Sequence, residues 1–263
     1  MYDSRLLLLC ASILTDGNFD EMMDMFSKNI SFMNDGLIKK ALSIKCKYVT
    51  IIDKEYPPEL RLVFKPPLVL YYYGDISLGQ DFTNNVAIIG SREPSTTGVI
   101  NTVAIAKHVV DNGYTIVSGL AYGVDYQAQN TAMENNGKVI AVLAGGLDHL
   151  YPKEHFRLFE KIKKNGLVLS EYPEGSEPRK ERFPFRNRLI AGLSHKIIVT
   201  EAKKASGTST TIGWTSNPFR DVLCVPGAFE EDSLCNSLIR DGCGCLGTMN
   251  DLEDELPKKD RFS

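Results

Sequence analysis

The sequence lacks the short motifs that mark many nucleotide-dependent and metal-dependent proteins. Its six cysteines form no Cys-x-x-Cys pair and no Cys/His cluster that would supply metal ligands. It has no Gly-x-x-x-x-Gly-Lys-Ser/Thr loop, and Gly90-Ser91-Arg92 is not the spaced glycine fingerprint of dinucleotide-binding folds. These absences argue against an ATPase or a dehydrogenase, and we expect neither a cofactor nor a metal ion.

Long apolar runs and activated nucleophiles are missing as well. The run Leu6–Leu14 is far too short to cross a bilayer, and no small-x-small cleavage site follows it. The four histidines show no metal spacing and no neighbouring Ser or Cys elbow, so we expect them on solvated helix faces. The scattered cysteines are typical of reduced core residues. The sequence therefore predicts a cytoplasmic, non-enzymatic protein that does not bind membranes.

Charge is distributed unevenly along the 263 residues. The formal net charge is −3, but Leu150–Ile190 contains ten Lys or Arg against six Glu, a local excess of four positive charges. A basic segment on an acidic protein indicates one localised anion-binding face. With 43% hydrophobic residues, the chain is long enough for one sizeable core and a small satellite domain.

From Asn85 onward, short β-branched runs alternate with helix-length amphipathic stretches. The predicted strands are Val86–Ile89, Thr115–Ser118, Lys138–Leu143, Leu167–Glu171, Lys196–Thr200 and Asp221–Val225. The predicted helices are Gly98–Asn112, Val124–Asn136, Pro152–Lys164, Phe185–Leu193, a weak one after Ser206, and Ser233–Asp241. This alternation predicts an α/β fold, a Rossmann-like, doubly wound and mostly parallel sheet.

The rest of the chain divides around that sheet. Residues 1–47 carry apolar positions at helical spacing and predict a small helical domain. Residues 48–84 predict an extended, proline-bracketed connector packed on the sheet domain, in which Leu68–Tyr73 forms an edge strand. Residues 85–256 form the sheet domain, and residues 257–263 a charged tail, with fraying expected from Asp251 onward.

Three glycine-rich turns follow predicted strands, at the sheet edge where open parallel sheets bind ligands. They are Gly90-Ser91-Arg92, the segment Ser118–Asp125, and Gly145-Gly146-Leu147-Asp148. The first turn offers free backbone, a hydroxyl and a guanidinium fork suited to phosphate oxygens. The second opens a helix whose amides point toward the same crevice. A single turn of this kind is equally consistent with a tight βα turn that binds no ligand. Three of them on one edge of the sheet favour an anion-binding site.

The basic segment interleaves cations with aromatic rings. Lys153 and Lys180 precede Phe183 and Phe185, and Arg186-Asn187-Arg188 follows. Cations suit a nucleic-acid backbone and rings suit unstacked bases, so this pattern favours single-stranded nucleic acid. The alternative is that both phenylalanines belong to the core. For Asp125 and Glu171 we expect helix capping or pairing with nearby arginines.

Together these motifs resemble the DNA-processing protein A family (DprA, also called Smf). The resemblance runs from Tyr48 to Glu255. The residues that carry it include Pro66–Asp75, Gly90-Ser91-Arg92, Ser118–Ala121, Gly146-Leu147-Asp148 with Tyr151-Pro152, Ser170–Pro173, Phe183–Leu193, Ser206-Gly207-Thr208 and Val225-Pro226-Gly227. It implies a Rossmann-like domain, a sterile-alpha-motif-like N-terminal domain, and a protein that protects single-stranded DNA and loads RecA during natural transformation and homologous recombination.

The resemblance also assigns roles to residues of this chain. It places DNA-phosphate binding on Arg92, Lys153 and Lys180, with a pocket lined by Gly90, Ser91, Gly145, Gly146, Arg186 and Asn187. It implies a homodimer through Ser206–Asp241, where Leu234, Leu238 and Ile239 have near-helical spacing. The chain departs from the family pattern at Ser209-Thr210, at Trp214–Phe219 and at Leu234, all in this expected dimer and RecA region.

Two other functions remain open. The first is a nucleotide phosphoribohydrolase similar to the cytokinin-activating LOG proteins. That chemistry needs a glutamate close behind its glycine-threonine loop, and no acidic residue follows Ser206-Gly207-Thr208 for many positions. The second is a module that senses a small phosphorylated nucleotide.

Overall fold

A computed structural model of the chain describes residues 3–204, 207–214, 222–228 and 232–259. The strands are β1 Lys47–Thr50, β2 Val69–Gly74, β3 Asn85–Ile89, β4 Thr115–Ser118, β5 Lys138–Val142, β6 Leu167–Ser170, β7 Lys196–Val199, β8 Val222–Cys224 and β9 Gly244–Cys245. The helices are α1 Ser4–Leu14, α2 Phe19–Ser27, α3 Asp35–Leu42, α4 Thr96–Asp111, α5 Val124–Glu134, α6 Phe156–Asn165, α7 Arg182–Gly192, α8 Thr208–Ile212, α9 Leu234–Arg240 and α10 Met249–Glu255.

The first three helices begin at side-chain caps. Asp3, Asn18 and Asn34 each accept a hydrogen bond from a backbone N–H of the first helical turn. The apolar positions of α1 then face inward, so that Leu9 and Ile13 join the core beside the sheet. The predicted N-terminal helical unit is therefore present.

The sheet has the order β1-β2-β6-β5-β4-β3-β7-β8-β9. Strands β3 to β8 pair in parallel with one another, whereas β1 pairs antiparallel with β2, and β2 antiparallel with β6. The chain adds strands on one side of β3 and then crosses to β7 on the other. This reversal between β3 and β7 is a topological switch point, and it opens a crevice at their carboxyl ends. The predicted doubly wound, mostly parallel fold is confirmed.

Successive residues of the central strands pack into the two hydrophobic cores on opposite faces of the sheet. In β3, Val86 and Ile88 pack on the face covered by α4, α5 and α6, while Ala87 and Ile89 pack on the face covered by α7. Because side chains alternate along a strand, a strand covered on both faces must be apolar throughout. This explains why the continuous β-branched runs mark these strands to within about one residue at each end.

The prediction that Leu68–Tyr73 forms an edge strand is wrong about its place in the sheet. It forms β2, which lies second in the sheet, and the edge is taken by β1. Tyr71 lies opposite both Tyr48 of β1 and Ser170 of β6, so β2 is paired on both sides. The four-residue β1 is too short, and too mixed in polarity, to stand out in the sequence.

The predicted fraying from Asp251 is also wrong, because α10 covers Met249–Glu255. Thr248 and Asp251 form a capping box at its start, and Leu252 and Leu256 are buried. Cys245 is exposed and so is not a core residue, although the other five cysteines are buried. Ser206 and Asp221, where a predicted helix and strand begin, lie outside the described residues. Among those residues, no helix is long and apolar enough to span a membrane.

Candidate functional site

A cavity of about 750 Å³ opens at the switch point between β3 and β7. It lies at the carboxyl ends of these strands, where the fold predicts a ligand. Its lining is formed by Ile89, Gly90, Ser91, Arg92, Glu93, Ala121, Asp125, Tyr151, Pro178, Lys180, Phe183, Pro184, Arg186, Asn187, Ile190, Lys203, Gly207, Thr208 and Thr211. The structure thus brings Gly90, Ser91, Arg92, Lys180, Phe183, Arg186 and Asn187 of the sequence prediction together around one space.

The turn after β3 is fixed by backbone hydrogen bonds on both sides. The N–H of Ser91 donates to the carbonyl of Glu201 at 2.7 Å, and the N–H of Val124 donates to the carbonyl of Ser91 at 3.0 Å. A Cβ at Gly90 would lie 2.6 Å from that Glu201 oxygen, so only glycine permits this approach. Arg92 follows in this rigid turn, and its side chain is exposed. Its guanidinium carbon lies 5.4 Å from the centre of the Phe183 ring.

The polar groups in the turn after β4 form hydrogen bonds within the protein. The N–H of Gly119 donates to Asp125 at 3.0 Å, and Arg186 donates to the carbonyls of Gly119, at 3.0 Å, and of Val142. Burial lowers the pKa of Arg186 to about 10, against the opposing charge of Asp125. Burial likewise raises the pKa of the Asp125 carboxyl, which Arg186 and the Gly119 N–H oppose. Arg186 therefore remains protonated at neutral pH, and both it and Asp125 line the cavity.

The turn after β5 lies beneath a loop and not at the cavity. The N–H of Gly146 donates to the carbonyl of Ser176 at 2.8 Å, and the carbonyl of Gly145 accepts from the Ser170 hydroxyl at 2.7 Å. Both glycines are buried, and a Cβ at Gly145 would lie 3.0 Å from Pro178 N. They support the segment that carries Lys180, and neither is among the residues that line the cavity.

The basic residues of α7 are internal supports. Arg188 is 1% exposed and pairs with Glu171 at 2.6 Å, as expected for that carboxylate, and it also donates to the carbonyls of Phe64 and Lys65. Its guanidinium lies 3.7 Å from the centre of the Phe185 ring. Phe185 thus packs against Arg188, away from the cavity lining.

Lys180 and Lys153 are exposed, and neither has an ion-pair partner within the described parts of the chain. Lys180 lines the cavity. Lys153 lies outside the lining, in a short 3-10 turn, Lys153–His155, two residues after Tyr151. Arg92 is likewise unpaired among those residues, so all three cations keep their donors for an external anion.

The N-terminal helical unit contacts the segment that carries Lys180. Asp16, in the turn between α1 and α2, accepts hydrogen bonds from Ser176 and Arg182, and it lies 3.7 Å from Arg179. Gly17 packs so closely that a Cβ would lie 2.7 Å from the carbonyl of Glu171. The position of Lys180 therefore depends on contacts with residues far away in sequence.

Several lining residues were not found by sequence reasoning. Lys203, Thr208 and Thr211 follow β7, and the strand-end rule that located Arg92 would have found Lys203 too. Tyr151 also lines the cavity, although the sequence identifies Tyr151-Pro152 only as part of the family resemblance. The expectation that all histidines are solvated is wrong for His155, which is 7% exposed and lies under Tyr122 and Tyr126. Among the described residues, no cluster of His, Cys, Asp and Glu is arranged to hold a metal ion.

Comparison with known sequences gives a consistent result. A profile described as DNA recombination-mediator protein A matches residues 47–257. The chain is 41% identical over 210 residues to protein Smf of Synechocystis, and 38% identical over 209 residues to DNA processing protein DprA of Streptococcus pneumoniae. These matches cover 78% and 79% of this chain. The chain spans 53% of the Synechocystis protein and 73% of the Streptococcus protein.

Two solved structures share the fold over most of its length. The X-ray structure of DNA processing protein A from Streptococcus pneumoniae matches with a TM-score of 0.78 at 35% identity, over 95% of this chain and 86% of that one. A structure of the Helicobacter pylori protein, described for its single-stranded DNA binding mode, matches with a TM-score of 0.72 at 31% identity, over 80% of this chain and 96% of that one.

Proposed function

Because the chain belongs to the DNA recombination-mediator protein A family, we propose that it binds single-stranded DNA by the phosphates at the switch-point cavity. The observation that carries this proposal is the grouping of Arg92 and Lys180, both exposed and unpaired among the described residues, around one cavity. Guanidinium and ammonium donors held at a water-accessible edge suit phosphate oxygens. The Helicobacter pylori relative is described as binding single-stranded DNA, which supports the same ligand here.

The cavity and its rim offer different contacts to a strand. Arg92 supplies a planar fork on a rigid turn, and Ser91 and Asn187 add neutral polar side chains beside it. Lys153, outside the cavity, would hold a phosphate further along the strand. Gly145 and Gly146 support the pocket through the loop above them, and their contribution to DNA binding is indirect.

We propose that the protein holds the strand without covalent chemistry. The carboxylates among the described lining residues are Asp125 and Glu93. Asp125 is buried and accepts the Gly119 N–H, and Glu93 is exposed. Neither carboxylate follows the Ser206-Gly207-Thr208 loop, where a LOG-like hydrolase needs its glutamate, and this supports a binding protein.

The experiment that tests this function compares two ligands. A fluorescent thymidine oligonucleotide and thymidine monophosphate are titrated into the protein and into its Arg92→Ala and Lys180→Ala variants. We expect tight binding of the oligonucleotide, weak binding of the mononucleotide, and loss of oligonucleotide affinity in both variants. Preferential binding of the mononucleotide would favour the nucleotide-sensing alternative, and release of its base would show the hydrolase.

By analogy with the family, we further propose that the protein protects incoming DNA in the cytoplasm and loads RecA onto it during transformation. A protein that only holds DNA must act through a partner. The test is RecA filament formation on an oligonucleotide already covered by single-strand-binding protein, with and without this protein. No acceleration with the cognate RecA would leave protection alone.

The homodimer through Ser206–Asp241 is also a proposal. Leu234, Leu238 and Ile239 all lie in α9, and each is only partly buried against the core of its own chain. Their remaining apolar surface supports a partner contact, although part of the proposed segment lies outside the described residues. Light scattering at tens of micromolar tests the dimer, and a monomer mass at that concentration would contradict it.

A further inference from the structure

Three aromatic side chains, two of them in the cavity lining, form a connected row. The Phe183 ring centre lies 5.6 Å from that of Tyr151, and the Tyr151 ring centre lies 6.5 Å from that of Tyr122. Phe183 and Tyr151 line the cavity, whereas Tyr122 does not. The row therefore begins beside Arg92, whose guanidinium lies over Phe183, and leads outward from the phosphate site.

The outer two rings of the row, Tyr151 and Tyr122, are exposed to solvent. Tyr151 is 49% exposed and Tyr122 is 40% exposed. Their planes meet at 81°, an edge-to-face arrangement. In such a pair, the ring that contributes its edge keeps both of its faces free of the other ring. A flat ligand can therefore stack on this pair without displacing it.

The Tyr122 ring is held in place before any ligand arrives. The Tyr122 hydroxyl donates to Glu154 at 2.8 Å, and this hydrogen bond raises the pKa of the Tyr122 phenol. The buried His155 supports the Tyr122 ring, with ring centres 5.2 Å apart, and its Nδ1 lies 2.9 Å from the carbonyl oxygen of Leu120. A ring that is already ordered loses little side-chain entropy on binding.

We propose that Tyr122 and Tyr151 form a stacking subsite for unpaired nucleobases. This rests on the proposed binding of single-stranded DNA at the cavity. A strand whose phosphates contact Arg92 and Lys180 at one end and Lys153 at the other passes along the aromatic row between them. Stacked base pairs in a duplex hide their faces, so the subsite selects bases that are unpaired and unstacked.

The test separates bases from phosphates. A thymidine oligonucleotide and an abasic oligonucleotide with the same backbone are titrated into the parent protein and the double variant Tyr122→Leu/Tyr151→Leu. We expect the parent to bind the thymidine strand at least about fivefold more tightly than the abasic strand, and the double variant to bind the two strands alike. A circular dichroism spectrum that matches the parent shows that the variant is folded.

The conservative variant Tyr151→Phe is the matched control, because it keeps the ring and removes only the hydroxyl. It should retain the preference for the thymidine strand, and it should quench a 2-aminopurine placed in that strand as the parent does, whereas Tyr151→Leu should not.

Equal binding of both strands by the parent would overturn the stacking subsite and leave the phosphate site intact. An undiminished preference in the double variant would overturn it as well. Binding of neither strand would refute single-stranded DNA binding itself, and the subsite with it.

Discussion

At the scale of single residues, the basic side chains of the site divide by what surrounds them. Arg182 donates to Asp16, Arg186 to backbone carbonyls, and Arg188 to Glu171, so these guanidinium groups hold parts of the fold together. Arg92 and Lys180 are exposed at the cavity instead. Substitutions in the two groups should therefore change different properties, DNA affinity for the exposed pair and stability for the buried arginines.

The Arg92→Ala and Lys180→Ala variants should each bind a thymidine oligonucleotide more weakly and with less dependence on salt. Each phosphate contact removed should reduce the slope of log affinity against log salt concentration by about 0.7. Fluorescence anisotropy over a series of salt concentrations measures the slope. Lys161→Ala, which removes an exposed charge from α6, is the control and should keep the parental slope. Parental slopes in both site variants would refute the assignment.

The Arg188→Met variant should lose about 3–5 kcal/mol of unfolding free energy, because it leaves Glu171 charged and buried without its partner. Urea denaturation measures the loss. The double variant Glu171→Leu/Arg188→Met should recover much of it, since neither position then carries a buried charge without its partner. For comparison, Lys28→Ala breaks the exposed ion pair with Asp24 and should cost about 1 kcal/mol or less. An equally small cost for Arg188→Met would show that the buried pair has no such role.

The sequence located Arg92 and Lys180 but could not separate them from Arg186 and Arg188. A residue directly after a predicted strand must lie at the ligand-binding edge of the sheet, which identifies Arg92 from the pattern alone. On α7, however, charge does not reveal burial. The partner of Arg188 is Glu171, on a different element, and this pairing depends on the tertiary fold.

At the scale of elements, the turn between α1 and α2 is a fixed contact between the N-terminal unit and the segment that carries Lys180. Asp16 has a φ of 54°, in the left-handed region, which directs its carboxylate to Ser176 and Arg182. The segment from Glu171 to Glu181 lacks a helix or strand of its own. Its conformation therefore relies on this contact and on Gly146 beneath it.

The Asp16→Ala variant should lower the unfolding free energy by about 1–3 kcal/mol, because Ser176 and the nearly buried Arg182 lose a charged acceptor. It should also weaken oligonucleotide binding several-fold, because Lys180 is then less well positioned. Thermal unfolding and anisotropy measure the two effects. Asp24→Ala, which removes an exposed carboxylate from α2, should change neither by a comparable amount. Unchanged DNA affinity in Asp16→Ala would show that the N-terminal contact is purely structural.

The elements that were missed or misplaced have a common physical reason. The strands of the parallel sheet are buried on both faces and stand out as apolar runs. In contrast, β1 has four residues of mixed polarity, and α10 places Leu252 in an acidic stretch that resembles a solvated tail. The spacing of Thr248 and Asp251, typical of a capping box, was the available signal for α10.

At the scale of the whole molecule, the proposed site combines separate cations with exposed rings, which suits a flexible strand. Duplex DNA of the same length should bind more weakly, because its bases are paired and its backbone cannot bend into a cavity. Competition of unlabelled single strand and duplex against a labelled thymidine oligonucleotide measures the difference. Equal competition by the two forms would contradict this prediction.

The burial of the Arg188–Glu171 pair has a practical consequence. Dissolved salt screens interactions between exposed charges beyond about 8 Å at physiological ionic strength, and over shorter distances at higher salt. The Arg188–Glu171 pair, whose side chains are 1% and 3% exposed, is screened much less. Concentrated sodium chloride should thus elute the protein from a DNA-cellulose column while the protein stays folded. After dialysis the eluted protein should bind again, with no refolding step between cycles.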